Sequence, residues 1–260
     1  MTSKLITEQR GPIGYLVLNT PQRRNALSLD MWQSIPEIIT TLDQISEIRC
    51  IVIAGSGTEA FCAGADISEF ETNRASEDSA KIYDRATQEA TLAIANCSKP
   101  VIAAIRGICY GGGVALATAC DLRVASNDAK FCIPAARLGV AYGMKGTSAL
   151  ANQIGYALAT EMLLTARVYS AHEALMKGLI HQLAPPEEFD NVIAGYTSAI
   201  AANAPLSMQA AKWALKSTVN TSPELKQRAE EASALCANSA DYAEGRSAFR
   251  DKRKPSFRGV

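Results

Sequence analysis

Short β-branched runs alternate with longer helical stretches through the first half of this 260-residue chain. The four runs are IGYLVLN (13–19), RCIVIAG (49–55), PVIAAIRG (100–107) and DLRVAS (121–126). The helical stretches between them are 28–47, 77–97 and 111–120. Runs of this kind, closed by Gly, Asn or Ser, predict strands, and strand–helix–strand repeats favour crossovers between parallel strands. Because the runs are almost continuously apolar, we expect an α/β fold whose strands are covered on both faces.

The second half is alanine-rich, and we predict four or five helices after Lys145. Ser170 with Glu173 predicts a capping box, and Ser222 followed by Pro223 predicts a capped helix start. Helices so rich in alanine have weak apolar faces. We therefore expect them to pack on the core or on another subunit.

The overall composition excludes several classes of protein. Basic and acidic residues balance at 26 each, which argues against nucleic acid or a membrane surface as the main partner. No apolar run reaches the roughly 18 residues of a membrane span, and the first residues lack a signal core, so we expect a cytoplasmic protein. The seven cysteines form no CxxC pair and predict buried free thiols. His172 and His181 are too far apart for one helical metal motif, and no metal site is predicted.

Three consecutive glycines, Gly111 to Gly113, open an apolar helical run with no acidic side chain before Asp121. Each costs roughly 1 kcal/mol relative to alanine inside a helix. Neither GxxxxGK[ST] nor GxGxxG is present. Close packing on a strand would explain one or two of the glycines. A developing oxyanion, held by backbone N–H groups at a helix start, accounts for the run better.

A second donor is predicted in the segment EAFCAGADISEF (59–70), a loop of small residues that follows strand 49–55. Cys62 in this loop could be a nucleophile, but no His or Asp constellation supports that role. A buried thiol is the preferred interpretation.

Five segments together resemble the crotonase, or enoyl-CoA hydratase/isomerase, superfamily, in the order that the family has them. They are TPQRRNALS (20–28), AFCAGADISEF (60–70), KPVIAAIRGICYGGGVALATACDLRVAS (99–126), LLTARVYSAHEALMKGLIHQL (163–183) and SADYAEGRSAFRDKRKPSF (239–257). The resemblance implies a crotonase-like (ClpP/crotonase) spiral of β-β-α units over residues 1–200. It also implies a helical region over 201–260 that makes trimer contacts.

The resemblance further implies the ligand and the residues that hold it. The ligand is an acyl-CoA thioester, so coenzyme A enters as part of the substrate and no separate cofactor or metal is expected. The backbone N–H groups of Ala65 and Gly112 would form the oxyanion hole for a thioester enolate. The residues expected to contact coenzyme A are Arg24, Ala26, Asp66 and Ile67. Lys254 and Phe257 of the tail would add contacts, either within the subunit or across a subunit boundary.

Two positions depart from the pattern of the family's hydratases, which use two glutamates to activate water. The positions resembling these glutamates are Ala115 and Ala135, and a methyl group cannot move a proton. Tyr142 resembles a tyrosine of methylmalonyl-CoA decarboxylase-like members, where it could return a proton or position a carboxylate; it could equally be a packing residue. Arg137 and Lys145 could attract a carboxylate or simply face solvent.

Three functions follow as hypotheses. The first is an acyl-CoA enzyme that stabilises a thioester enolate, with lyase or decarboxylase-like chemistry favoured over hydration by displaced groups such as Glu69, Glu71 or Glu89. The second is an acyl-CoA-binding protein without catalysis, and the third is a structural oligomer without a ligand. We expect a homotrimer or a dimer of trimers.

Overall fold

The computed structural model describes residues 3–69 and 76–260. The strands are β1 (Leu5–Arg10), β2 (Ile13–Leu18), β3 (Cys50–Gly55), β4 (Ala60–Cys62), β5 (Val101–Ile105), β6 (Ile108–Tyr110), β7 (Leu122–Ser126), β8 (Lys130–Cys132), β9 (Tyr169–Ser170) and β10 (Gln182–Ala184). The α-helices are α1 (Leu29–Gln44), α2 (Glu77–Asn96), α3 (Gly112–Ala119), α4 (Met144–Ile154), α5 (Tyr156–Thr165), α6 (Ala171–Met176), α7 (Phe189–Ala201), α8 (Pro205–Val219), α9 (Pro223–Ala237) and α10 (Ala240–Arg250). Short 3-10 turns lie at Pro21–Arg23, Ile67–Glu69 and Pro134–Arg137.

The strands form two sheets. The larger sheet has the order β1-β2-β3-β5-β7-β10, with β1 antiparallel to β2 and the remaining pairs parallel. The smaller sheet has the order β4-β6-β8-β9, with only the β8–β9 pair antiparallel. The strands β3, β5 and β7 of the larger sheet are each followed by a partner in the smaller one. Each pair of strands is thus followed by the next pair along the two sheets, and α2 and α3 are two of the helices that connect them. This arrangement is the predicted α/β spiral, so the fold class is confirmed.

The larger sheet is buried on both faces, as the apolar runs predict. One face packs against α1, α2 and α3 through a large cluster that includes Leu16, Ile53 and Ile105. The other face packs against α7 through a smaller cluster around Val52 and Phe189. All seven cysteines are free, and every one except Cys236 is buried. Among the described helices, none is long and apolar enough to cross a membrane.

The four predicted strands are present, but the sequence interpretation missed the short strands of the smaller sheet. Three residues are too few to show a periodic pattern. The second half contains seven α-helices from Met144 onward rather than four or five, since breaks such as Gly155, at φ +79°, divide what reads as one alanine-rich stretch. The capping box is confirmed: the Ser170 hydroxyl accepts from Glu173 N, and the Glu173 carboxylate accepts from Ser170 N at 2.9 Å.

Candidate active site

The loop that follows β4 is held against the segment before α1 by three backbone hydrogen bonds, two of which involve Leu27. Leu27 N donates to Gly64 O at 2.8 Å, and Asp66 N donates to Leu27 O at 2.9 Å. Because successive backbone groups of an extended segment point to opposite sides, the N–H of Ala65 is directed away from Leu27. Gly64, at φ +105°, allows the chain to enter this arrangement.

The glycine turn between β6 and α3 is fixed from the other side. Gly111 N donates to Cys132 O at the end of β8 at 2.8 Å. Gly111 has φ +49° and ψ −110°, a conformation that a side chain strongly disfavours. The turn therefore ends β6 and starts α3 abruptly, with Gly112 as the first helical residue.

At Gly112 and Gly113, close contact with neighbouring residues leaves no room for a side chain. A Cβ at Gly112 would lie 2.9 Å from Trp32 Cζ2, and a Cβ at Gly113 would lie 2.4 Å from Cys62 O. Close packing thus accounts for two of the three glycines, as expected, and the backbone conformation of Gly111 accounts for the third. The number of glycines alone therefore does not indicate an anion site. That interpretation depends on where the N–H groups point and on whether they already have hydrogen-bond partners.

Two unpartnered N–H groups lie on these two loops, which are in contact. A Cβ built on Gly64 would lie 3.4 Å from Gly112 N, so the loop of Ala65 is packed directly against the start of α3. Across residues 3–69 and 76–260, neither Ala65 N nor Gly112 N donates a hydrogen bond. Both residues are partly exposed. Two free donors beside the positive end of a helix can stabilise negative charge on a ligand oxygen.

Cys62 lies beneath these loops and is fully buried. Burial raises the pKa of its thiol to about 12, so the thiol is protonated at neutral pH. Its sulfur is 3.4 Å from Gly64 N. This environment supports the interpretation of Cys62 as a packing thiol and argues against a nucleophile.

The segment 20–28 carries two of the predicted coenzyme A contacts. Arg24 has φ +52°; its side chain is exposed and its carbonyl accepts from Ala63 N at 2.9 Å. Ala26 is buried and lines a cavity of about 600 Å³. The cavity is lined by Lys4, Asn19, Thr20, Pro21, Gln22, Arg23, Ala26, Ser28, Asp66, Ser68 and Glu69.

Sequence reasoning missed Asn25, which organises this segment. It is fully buried at φ +55°, and its amide donates to Ala60 O at 2.7 Å and to Ser56 O at 3.0 Å. Its oxygen accepts from Thr20 N at 3.0 Å. The asparagine itself was a sequence signal for a turn in this segment. Asparagine tolerates left-handed backbone angles, and its side chain forms hydrogen bonds with nearby backbone groups.

Asp66 is held as a carboxylate on the wall of the cavity. Burial opposes its ionisation, but hydrogen bonds from Ser68 and Arg23 outweigh that effect and lower its pKa. Ser68 donates from its hydroxyl at 2.7 Å and from its N–H at 3.0 Å, and Arg23 forms an ion pair with the other oxygen. Ile67 is the first residue of the 3-10 turn that follows. Arg24, Ala26, Asp66 and Ile67 therefore lie on two neighbouring segments.

The tail residues lie elsewhere in this chain. The ring of Phe257 lies 3.5 Å from a Cβ built on Gly245 of α10. The carbonyl of Phe257 accepts from the side chain of Arg49, the residue before β3, at 3.3 Å. The carboxylate of Asp241 accepts two tail N–H groups at 2.7 Å. Lys254 is exposed, and no ion pair is present for it within the described ranges. The loops of the candidate site follow the far end of β3, so this chain does not bring its own tail to them.

The positions that resemble the hydratase glutamates lie close to the glycine turn. Ala115 is in the first turn of α3, where its N–H donates to Gly111 O at 3.2 Å. Ala135 is in the 3-10 turn that begins at Pro134, whose Cδ is 3.8 Å from a Cβ built on Gly111. Both alanines are partly exposed. Neither position offers a group that can transfer a proton.

Tyr142 precedes α4 and is packed on the core. Its ring lies 3.1 Å from a Cβ built on Gly146, and burial, with a small contribution from Cys109, raises its pKa. The phenol is therefore protonated at neutral pH, and its hydroxyl has no hydrogen-bond partner among residues 3–69 and 76–260. Arg137 at the end of the 3-10 turn and Lys145 in the first turn of α4 are exposed and form no ion pair with a described residue.

The comparison with known proteins identifies the family. A family model described as enoyl-CoA hydratase/isomerase matches residues 8–260. The chain belongs to this family. It is 33% identical to the crotonyl-CoA hydratase of Syntrophomonas wolfei, over 97% of each chain. It is 35% identical to the peroxisomal Delta(3,5)-Delta(2,4)-dienoyl-CoA isomerase of Arabidopsis thaliana, over 94% of this chain and 91% of that protein.

Solved structures agree with this assignment. The crystal structure of an enoyl-CoA hydratase/carnithine racemase from Magnetospirillum magneticum has a TM-score of 0.95 and 35% identity, covering 100% of this chain and 97% of that one. The resemblance of the chain to the crotonase superfamily is thereby confirmed for the fold and for the enzyme family.

The three glutamates considered as replacement acids in this enoyl-CoA hydratase/isomerase family member do not lie together. Glu69 lines the cavity, and its carboxylate accepts from Leu29 N at 2.9 Å. Glu89 lies on the exposed side of α2 in an ion pair with Arg85 at 2.7 Å. Glu71 lies outside the described residues. Of the two described glutamates, only Glu69 lies on the loop of the candidate site.

Proposed function

We propose that this chain binds an acyl-CoA thioester and stabilises its enolate between the backbone N–H groups of Ala65 and Gly112. The observation that carries the proposal is the pair of unpartnered donors on two loops in direct contact. The helix dipole of α3 adds positive potential at the same point. A thioester oxygen gains negative charge as the enolate forms, so these donors bind the transition state more strongly than the substrate.

The proposed reaction is decarboxylation, or a related lyase step, of a malonyl-type thioester. The bond from the α-carbon to the carboxylate breaks, carbon dioxide leaves, and the electron pair becomes the enolate held by Ala65 and Gly112. A proton then returns to the α-carbon and gives the acyl-CoA. This sequence needs no general base, which fits alanine at positions 115 and 135. Tyr142 is protonated and can donate that proton or hold the departing carboxylate.

Hydration by a displaced acid is the second candidate function. The names of several relatives favour it, including crotonyl-CoA hydratase, and Glu69 lies on the wall of the neighbouring cavity. An acyl-CoA-binding protein without turnover is the third, because the loops of the proposed oxyanion hole do not by themselves transfer protons.

One experiment separates these functions. Purified protein is incubated with enoyl-, 3-hydroxyacyl-, malonyl- and methylmalonyl-CoA, and the products are identified by mass spectrometry. Loss of carbon dioxide from a malonyl-type thioester supports the proposed reaction. Water addition to the enoyl thioester supports hydration, and a retained thioester without product supports binding alone. Failure to bind any thioester contradicts the whole proposal.

We also propose that the active form is a homotrimer or a dimer of trimers. Large apolar side chains on the C-terminal helices are exposed in the single chain: Leu215, Val219, Leu235 and Phe249. Lys254 and Phe257 lie away from the candidate site of their own chain, so they can reach coenzyme A only in a neighbouring subunit. Light scattering tests the assembly, and Lys254→Ala tests the contact: it should weaken coenzyme A binding without changing the mass of the oligomer.

A further inference from the structure

Trp32 occupies the space that a side chain at Gly112 would need. The indole carbon Cζ2 is 2.9 Å from the position of that Cβ, and Cη2 is 3.5 Å from it. Trp32 is only 1% exposed, so the ring cannot swing out without opening the core. The residue that carries one proposed oxyanion donor therefore packs directly against the six-membered ring of a buried indole.

The indole itself is fixed by a second helix. Trp32 Nε1 donates a hydrogen bond to the hydroxyl of Tyr83 on α2 at 2.9 Å, and Tyr83 is 4% exposed. A buried N–H that lost this acceptor would carry a desolvation penalty, so the bond sets the rotation of the ring. The contact runs from α2 through Trp32 to the start of α3.

The same end of α1 also holds the loop of the other donor. Leu27, two residues before α1, forms the two backbone hydrogen bonds that orient Ala65. Glu69, on the same loop, accepts from Leu29 N, the first residue of α1, at 2.9 Å. One helix terminus thus contacts both halves of the proposed oxyanion hole: the Ala65 loop through Leu27 and Leu29, and Gly112 through Trp32.

We infer that Trp32, held by its hydrogen bond to Tyr83, is a positioning residue that sets the Gly112 N–H relative to the Ala65 N–H. This inference rests on the proposed function. A displacement of a few tenths of an ångström at Gly112 would lengthen one of two charge-assisted hydrogen bonds, and such donors lose much of their effect when their geometry is relaxed. Because Trp32 is buried, its effect on the site would pass through Gly112 rather than through contact with a ligand.

The test uses acetoacetyl-CoA, whose enolate absorbs in the near ultraviolet. An oxyanion hole that stabilises the enolate increases the enolate band of the bound probe, and turnover is not required. We expect Trp32→Phe to reduce the bound enolate fraction at least tenfold while the affinity for free coenzyme A stays within twofold. Tyr83→Phe, which removes one oxygen, should reduce it about threefold, and the double variant should be no worse than Trp32→Phe alone.

Trp213→Phe is the matched control, since Trp213 is the other tryptophan, is also 1% exposed, and lies on α8. It should lose thermal stability as Trp32→Phe does and keep the wild-type enolate band. An unchanged band in both Trp32→Phe and Tyr83→Phe would overturn the inference while leaving the oxyanion hole intact. A wild-type protein that binds the probe without an enolate band would overturn the hole and the inference together. If Trp32→Phe fails to fold, the Tyr83→Phe band decides.

Discussion

The glycine turn and the loop from residue 134 to 147 both belong to the candidate site, but they are built differently. The turn is fixed by backbone bonds and by buried neighbours: Cys132 accepts from Gly111, and Trp32 and Cys62 leave no room for a side chain at the next two glycines. The loop carries its chemistry on side chains, with alanine at 135, a half-buried tyrosine at 142 and exposed cations.

This difference separates two parts of catalysis. Charge stabilisation by backbone N–H groups depends on the fold, so it persists as long as the turn is packed. Proton transfer depends on a single side chain, which one substitution removes without disturbing the fold. Under the proposed function, the turn would therefore determine that an enolate can form, and the loop would determine which reaction the enolate enters.

The largest expected effect comes from removing a donor of the turn. Gly112→Pro deletes the N–H and disturbs the start of α3, and it should lower enolate-forming turnover roughly 1,000-fold, near the upper end for an oxyanion donor. The control is Gly195→Ala in α7, where nothing lies within 4 Å of the new Cβ and activity should be retained. Product formation is measured by mass spectrometry, with circular dichroism to verify folding. Substantial turnover by a folded Gly112→Pro protein would disprove the oxyanion assignment.

A gain of hydratase activity would test whether the turn stabilises an enolate when proton-transfer groups are supplied beside it. Ala115→Glu with Ala135→Glu places two carboxylates at partly exposed positions next to the turn. If the turn already stabilises the enolate, hydration of crotonyl-CoA should rise about 100-fold, the lower end for general acid–base catalysis. Ala115→Glu with Ala136→Glu is the matched control, because Ala136 is the exposed neighbour of Ala135. Equal hydration by both double variants would show that the two positions do not face the substrate.

Tyr142→Phe tests whether the loop contributes chemistry. Turnover of a malonyl-type thioester should fall about tenfold, less than for a full general acid, because water can also return the proton. Burial raises the pKa of Tyr142, so the phenol stays protonated through neutral pH and the rate should show no alkaline loss below about pH 10. Tyr156→Phe, at an 82% exposed tyrosine, is the control. Unchanged turnover would make Tyr142 a packing residue.

The two regions also differ in how far they could be predicted from sequence. The strands β2, β3, β5 and β7 follow from apolar runs, because strands buried on both faces must be apolar along their length. Strands of three residues, such as β4 and β6, are too short to show a periodic pattern in the sequence. They are recognised only from their backbone pairing with neighbouring strands of the smaller sheet.

The site shows the same limit. The glycine turn was recognised from its composition, but the cause of each glycine lies in distant residues. Trp32 is 80 positions from Gly112, and no local pattern links them. Asn25 was missed because its importance comes from burial and from carbonyls at positions 56 and 60, which fold onto it. These features depend on packing between residues that are distant in sequence. A sequence shows such packing only where it produces a periodic pattern of apolar residues.

The smallest expected effect concerns Asp66, which stabilises the Ala65 loop through charge. Its folded-state pKa is lowered below the ordinary 3.8, so its contribution to the free energy of unfolding is complete above about pH 4 and disappears as the pH falls through the folded-state pKa. Asp66→Asn removes the ion pair with Arg23, whose side chain is more than half exposed to screening solvent. At pH 7 we expect a loss of about 1 kcal/mol, or about 2–4 °C in Tm.

Asp128→Asn, in the exposed turn between β7 and β8, is the control and should leave Tm unchanged at every pH. Calorimetric scans of the three proteins from pH 7 down to pH 3 should show the Asp66→Asn curve approaching the wild type as the carboxylate of the latter is protonated. A difference in Tm that persisted undiminished in acid would mean that Asp66 stabilises the loop by shape and hydrogen bonding alone. The charge beside Ala65 would then have no part in holding the donor that the glycine turn complements.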